Sequence, residues 1–173
     1  MLKELKPPKG LILDLGCSTG NWYKKLESTG VDLEEYLGVD ASPEMLSKFH
    51  EKSKNVNLLE ADLENWVLPT GNSVVAMNFT LQFLSLECRK RMIQEIFDSL
   101  KPGGVFFLSE KVRPQNEKMA SSCDEVYWNF KRSQGYTSEE VARKDKALKQ
   151  MLRAEALGVH LDRLKGVGFE SVE

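Results

Sequence analysis

An α/β fold of the Rossmann-like kind, a parallel sheet in the order 3-2-1-4-5 with helices on both faces, is predicted for this chain by three observations. Short apolar runs alternate with helical patterns from Leu11 to Leu108. The run Leu11-Ile12-Leu13-Asp14-Leu15-Gly16-Cys17-Ser18-Thr19-Gly20 passes from an apolar strand into an acid and a glycine-bearing turn that opens a helix. Gly38-Val39-Asp40 then follows about twenty residues later, where a ribose-binding carboxylate belongs in such a sheet.

The elements follow in order. Residues 11–15 are apolar and too short for a helix, and Thr19 to Ser28 carries Trp22, Tyr23 and Leu26 at helical spacing. Tyr36 to Asp40 is the second strand. Ser42 is the N-cap and Pro43 the first residue of a helix running to about Lys52. Val56 to Glu60 reads as the third strand, 61–71 as a connection containing Asp62 and Trp66, and Ser73 to Phe79 as the fourth strand. Its apolar centre, Val74-Val75-Ala76-Met77, implies burial on both faces. Met92, Ile93, Ile96, Phe97 and Leu100 form one face of a helix over 86–100, and Lys101-Pro102-Gly103-Gly104 ends it before a fifth strand, Val105 to Leu108. Parallel neighbours need crossover connections, and right-handed crossovers give the order 3-2-1-4-5, with the ligand crevice beside strand one. From Arg113 to Gly166 the pattern becomes helical and charged, with breaks expected near Gly135 and Gly158, and a last strand is expected at 169–173. This is one domain over 1–173 with a helical lid or dimerisation insert at about 113–166.

Composition bounds the function. The 173 residues suit one domain, 41% apolar residues supply a core, and 29% charged residues supply solubility. A net charge of −2 carries no global footprint for nucleic acid, so direct nucleic-acid binding is not expected. Cys17, Cys88 and Cys123 lack the spacing of a zinc site or the density of a disulfide scaffold, which favours a reducing, cytoplasmic setting. The start of the chain has no apolar signal core, and no apolar run approaches the ~20 residues that span a bilayer, so no membrane anchor is expected. His50 and His160 lie in charged helical surroundings and read as surface or helix-packing residues; no metal site is expected.

The turn at 14–20 departs from a dinucleotide fingerprint. It reads Asp14-x-Gly16-x-Ser18-x-Gly20, with a carboxylate just before the first glycine. Beside a pyrophosphate that carboxylate repels; beside the ammonium and sulfonium of S-adenosylmethionine it is favourable, directly or through water. Asp40 then suits the ribose hydroxyls, Asp62 the adenine amino group and the Leu63 amide the adenine ring. Taken singly, Gly16 and Gly20 also suit a tight turn with no ligand, and Asp40 a helix cap. Asp14, Asp40 and Asp62 lie at the carboxyl ends of three successive strands, the edge where open α/β sheets bind ligands.

The chain resembles the class I S-adenosylmethionine-dependent methyltransferases, a three-layer sandwich, and within them the carboxy-S-adenosyl-L-methionine synthases. The resemblance rests on Asn78-Phe79-Thr80-Leu81-Gln82-Phe83-Leu84, Leu100-Lys101-Pro102-Gly103-Gly104, Leu108-Ser109-Glu110-Lys111, Phe130-Lys131-Arg132-x-x-Gly135-Tyr136 and Gly168-Phe169-Glu170, in that order. The first and fourth of these are the specific ones. The resemblance implies conversion of S-adenosylmethionine and prephenate into carboxy-S-adenosylmethionine and phenylpyruvate, for modification of the tRNA wobble uridine. It also implies that Gly16, Cys17 and Ser18 wrap the cofactor's amino-acid portion, that Asp40 and Ala41 contact the ribose region, and that Asp62 and Leu63 contact the adenine. Asn78 then faces the sulfonium end, where a neutral amide adds no charge opposing a new carboxylate. Lys131, Arg132, Arg143 and Lys144 are candidates for holding a substrate carboxylate, against the alternative of solvated helix-face charges. The family's carboxylate-holding arginine falls on Asp145, where the charge is inverted; either Arg143, Lys144 or Lys146 replaces it or the product differs. The resemblance further implies a helical segment before the first strand and two strands after Phe169 that this sequence lacks, which leaves strand five as an edge and favours a longer parent chain or an intimate oligomer, a homodimer by analogy. A true methyltransferase of a small molecule or tRNA and a catalytically silent binding or dimerisation module are the alternatives.

Overall fold

The computed structural model describes residues 2–173, with side chains at 4–146 and 152–173. Its strands are β1 (Leu11–Leu15), β2 (Tyr36–Asp40), β3 (Asn57–Glu60), β4 (Asn72–Asn78) and β5 (Leu100–Ser109), all parallel in one sheet ordered β3-β2-β1-β4-β5. The helices are α1 (Leu2–Leu5), α2 (Asn21–Ser28), α3 (Pro43–Lys52), α4 (Leu86–Ser99), α5 (Glu117–Ser133), α6 (Ser138–Met151) and α7 (Leu157–Val167). The sheet order is the predicted one, as right-handed crossovers require.

Local chemistry sets the helix starts. Ser42 accepts from the Met45 amide at 3.3 Å with Pro43 in the first turn, and Ser85 accepts from Cys88 N at 3.2 Å. Asn116 caps α5 by accepting from Met119 N at 3.1 Å. Each side-chain oxygen satisfies a donor that the helix itself leaves open. Helix α2 starts two residues later than expected, because Gly20 takes a left-handed conformation (φ 78°) at its N-cap. A side chain there would collide with the Phe49 ring.

Strand pleating divides the core between the two faces of the sheet. Leu13, Leu15, Val75 and Met77 pack with Met92, Ile93 and Ile96 of α4, and Leu164 and Val167 of α7 cover the margin. Ile12, Tyr36 and Val74 pack on the opposite side with Leu26 of α2 and Leu46 and Phe49 of α3. Central strand β4 is buried throughout from Val74 to Met77, as its continuous apolar run implies.

Three further expectations change. Strand β5 begins at Leu100 rather than Val105, because its pairing with β4 slips between Asn72↔Leu100 and Val74↔Val105, so Lys101–Gly104 bulges out while remaining in the strand. The break expected near Gly158 lies instead at 152–156, where Val112 bridges Glu155; Gly158 sits within α7. No strand forms at 169–173. The apolar residue that suggested it, Phe169, is used in packing, with its ring 5.1 Å from Phe97 and stacked 5.9 Å from Phe106. In the described sheet β5 lies at an edge, and the three cysteines are free; as expected, His50 is exposed and His160 is a buried helix-packing residue.

Candidate functional site

The carboxyl rim of the sheet is built largely from backbone. Gly16 N and Cys17 N both donate to Val39 O, at 2.8 and 3.0 Å, which folds the turn after β1 onto the end of β2. Gly16 takes φ 75°, and any side chain on it would collide with that of Thr80, so the turns after β1 and β4 touch there. Asp40 joins the turns after β1 and β2: one carboxylate oxygen accepts from Ser18 N and the other from Ser42 N, both at 2.9 Å. A carboxylate has about four acceptor positions, so Asp40 keeps acceptor capacity toward a diol. Ala61 N donates to Asp40 O at 3.1 Å and brings the 61–65 turn alongside. Within it, Asp62 accepts from Glu64 N at 2.9 Å and from the Asn65 amide at 3.2 Å, while Leu63 is buried and Ala41 exposed. At the end of β4, Asn78 holds a buried side-chain nitrogen with no hydrogen-bond partner among the described residues. A buried orphan donor at the rim fits an acceptor-bearing ligand.

Asp14 differs from the others. It is 1% exposed and points to the α2–α3 side, where Tyr36 Oη donates to it at 2.7 Å within an edge-to-face cluster of Tyr23, Tyr36 and Phe49. Burial raises its pKa from 3.8 to about 7, the Tyr36 hydrogen bond opposes this and nearby Asp40 adds to it. Burial likewise pushes up the Cys17 thiol, and the nearby Asp14 and Asp40 charges add to it. The structure thus brings Gly16, Cys17, Ser18, Asp40, Ala41, Asp62, Leu63 and Asn78 to one rim and sets Asp14 beneath it.

A cavity of about 780 Å³ lies between the end of β5 and helices α5 and α6. Phe79 and Gln82 form part of its wall, so it reaches the rim next to Asn78; among the described residues its walls do not include the glycine turn. Lys111, Lys131, Lys144 and Arg153 line it, together with Asp124, Glu140 and Asp145. Lys131 Nζ lies 5.5 Å from the Tyr127 ring centre and 5.3 Å from that of Tyr136, and Lys111 Nζ lies 5.6 Å from Tyr127. These rings hold two ammonium groups at the wall without neutralising them. Lys144, Arg143 and Arg132 are all exposed, but Lys144 alone of the three lines the cavity, and Arg132 donates to Asn129 at 2.6 Å.

Two groups with no role in the sequence reading organise this region. Arg89 of α4 is fully buried and donates to Leu84 O, Gln82 O, Arg153 O and Glu155, the last at 2.6 Å. Arg163 of α7 completes the pair on Glu155 at 2.8 Å. A lone arginine in a helical pattern carries no mark of burial, so only the fold reveals it. Glu110, just after β5, accepts from Leu81 N at 2.7 Å. Burial raises its pKa, against the pull of the Leu81, Gln82 and Thr80 amides and the Arg89 charge. Its place in Leu108-Ser109-Glu110-Lys111 was the only signal for it.

Among the described residues no helix is long and apolar enough to cross a membrane, and no group of three or more His, Cys, Asp or Glu side chains gathers as a metal site.

Comparison with known proteins agrees with this layout. Residues 12–104 match the Methyltransferase domain family. The carboxy-S-adenosyl-L-methionine synthase of Desulforapulum autotrophicum is 39% identical over 95% of this chain and 69% of its own length, and that of Aeromonas salmonicida 36% identical over 98% and 71%. A S-adenosylmethionine-dependent methyltransferase from Mesorhizobium loti shares the fold, with a TM-score of 0.67 at 20% identity over 99% of this chain and 80% of the other. So does a S-adenosylmethionine-bound amino pentose methyltransferase from Micromonospora echinaspora, with a TM-score of 0.56 at 23% identity over 66% and 48%. With its sheet order, its glycine turn and these relatives in agreement, the chain belongs to the carboxy-S-adenosyl-L-methionine synthase family, S-adenosylmethionine-dependent transferases built on the methyltransferase fold.

Proposed function

We propose that this protein converts S-adenosylmethionine and prephenate into carboxy-S-adenosylmethionine and phenylpyruvate, supplying the carboxylated cofactor for tRNA wobble-uridine modification. The observation that carries the reading beyond family membership is the cavity beside Asn78, whose aromatic walls hold Lys111 and Lys131 and whose α6 side contributes Lys144. Such a wall suits a small apolar ring bearing carboxylates.

On this reading Gly16, Cys17 and Ser18 wrap the amino-acid portion of S-adenosylmethionine, Asp40 and Ala41 contact the ribose region, and Asp62 and Leu63 contact the adenine. Asp14 supports the turn from beneath, and Asn78 offers its unpartnered amide nitrogen at the sulfonium end. When bound, the cofactor supplies an activated methyl group. Prephenate loses carbon dioxide and its ring hydroxyl as it becomes phenylpyruvate; the carbon dioxide replaces a methyl proton, and that proton with the hydroxide forms water. The protein's own part is to position, to exclude water and to hold carboxylates. Lys144, with Lys131 and Lys111 in the walls of the same cavity, supports this role, and Arg143 and Arg132 serve only by reaching in from the exposed faces of α6 and α5. The whole chain then acts as one cofactor-binding domain with 113–166 as its lid or dimerisation insert. The exposed apolar face of α5, with Met119, Val126 and Phe130, supports a homodimer.

Asp145 favours a second reading, because an acid in the cavity wall opposes a carboxylated product and methyl transfer to a small molecule or tRNA makes no such product. Incubation with S-adenosylmethionine and prephenate, followed by mass spectrometry, separates the two. The expected result is a cofactor heavier by one carbon dioxide, with Asp145→Arg raising its yield about tenfold through a new charge-assisted pair. Cofactor-bound protein that leaves prephenate unchanged sinks the carboxylation reading.

A further inference from the structure

We propose that Glu110 is a positioning residue, whose carboxylate caps the turn after β4 and so holds Asn78 and Phe79 at the reactive end of the cofactor site. The turn needs holding. Phe79 takes φ 55°, a left-handed conformation that an aromatic residue rarely adopts, and its side chain is 56% exposed, so its own burial does not enforce it. The end of β5 grips this elbow at two successive residues. Ser109 O accepts from Phe79 N at 2.7 Å, and Glu110 accepts from Leu81 N at the same distance. Within the elbow, Thr80 Oγ1 donates to Asn78 O at 3.2 Å and Gln82 Nε2 to Phe79 O at 3.0 Å.

The 3-10 turn Leu81–Phe83 starts with no side-chain cap of its own at Thr80. A carboxylate at that end receives amide donors that the turn leaves open, and its charge strengthens the bond. The second Glu110 oxygen is buried with no hydrogen-bond partner among the described residues, so the bond from Leu81 N is what holds the group there. Thr80, in turn, fills the space that Gly16 leaves free. A shift of the elbow therefore reaches both the orphan amide of Asn78 and the glycine turn.

The proposal rests on the placement of S-adenosylmethionine given above, and its test reads affinity alone. Calorimetry on wild type, Glu110→Asp and Glu110→Gln compares S-adenosylmethionine with adenosine, which fills only the ribose and adenine part of the site. Glu110→Asp keeps the charge but withdraws it from Leu81 N, and it is expected to raise the S-adenosylmethionine Kd about tenfold while leaving the adenosine Kd within about twofold. Glu110→Gln keeps an oxygen acceptor for Leu81 N and is expected to stay within about threefold of wild type for both. Equal weakening of both ligands by Glu110→Asp, or no weakening of either, overturns the proposal. Wild type that binds both ligands but makes no carboxylated product sinks the proposed reaction and leaves this comparison intact.

Discussion

The rim at the ends of β1 and β2 and the helical insert carried by α5 and α6 both present charge to the same end of the molecule, yet they are built by opposite means. The rim is set by main-chain geometry: Gly16 at φ 75°, two amides on Val39 O, and Asp40 joining Ser18 and Ser42. Its side chains are short and its supporting strands buried. The insert is set by long side chains on exposed helix faces, and its cavity owes its character to lysines lodged on tyrosine rings and to acids in the same walls. Backbone geometry leaves a pattern of glycine and aspartate that spacing reveals. Exposed lysines leave almost none, because a helix tolerates them on any outward face.

The strongest way to break this contrast is to cut the tie between the two regions. Arg89 bonds the rim's elbow at Gln82 and Leu84 to the insert's return segment at Arg153 and Glu155. Arg89→Met strips a fully buried cation from Glu155 and three carbonyls, and urea unfolding is expected to show a loss of about 3–5 kcal/mol. A loss below about 1 kcal/mol, the range of an ordinary surface pair, refutes the tie.

Next in size is the rim itself. Gly16→Ala forces a left-handed alanine whose methyl meets Thr80, and S-adenosylmethionine affinity by calorimetry is expected to fall about 100-fold, while the fold measured by circular dichroism persists. Unchanged affinity shows that the turn can shift and that its backbone is not the recognition surface.

The smallest effect sharpens the contrast by pH. The folded pKa of Asp14, about 7, lies above its ordinary 3.8, so its contribution to stability is fully present below about pH 4 and is lost as pH rises through about 7. Asp14→Asn keeps an acceptor for Tyr36 but cannot ionise. In ligand-free protein it is expected to flatten the stability profile between about pH 4 and 7 and to exceed wild type at pH 8 by on the order of 2 kcal/mol. An unchanged slope across that window removes Asp14 as its source.

Legibility followed the same divide. Strand β2 and helix α3 lie where the sequence pattern puts them, because a short apolar run and a Ser-Pro cap are local signals. The bulge in β5 escaped the pattern, since the slip against β4 depends on a partner strand that local sequence does not see. Phe169 looked like strand and became a packing residue for the same reason. At the rim, the Asp40 position was readable from spacing, and the Asn78 position from the Asn78–Leu84 motif that carries the resemblance. The bond from Tyr36 to Asp14 was not, because it joins residues 22 apart across neighbouring strands. Glu110 and Arg89 were hidden, because a charged residue declares its burial only once its partners are assembled.

By itself the sequence determined the sheet order and the glycine turn, because periodicity and spacing are properties of the chain, and its motifs carried the resemblance to the family. Tertiary structure alone decided that Asp14 is buried under the rim, that Lys144 and not Arg132 lines the cavity, and that Glu110 and Arg89 meet the turn after β4. Those are contacts between distant segments, and their energies depend on burial and distance that no local pattern encodes.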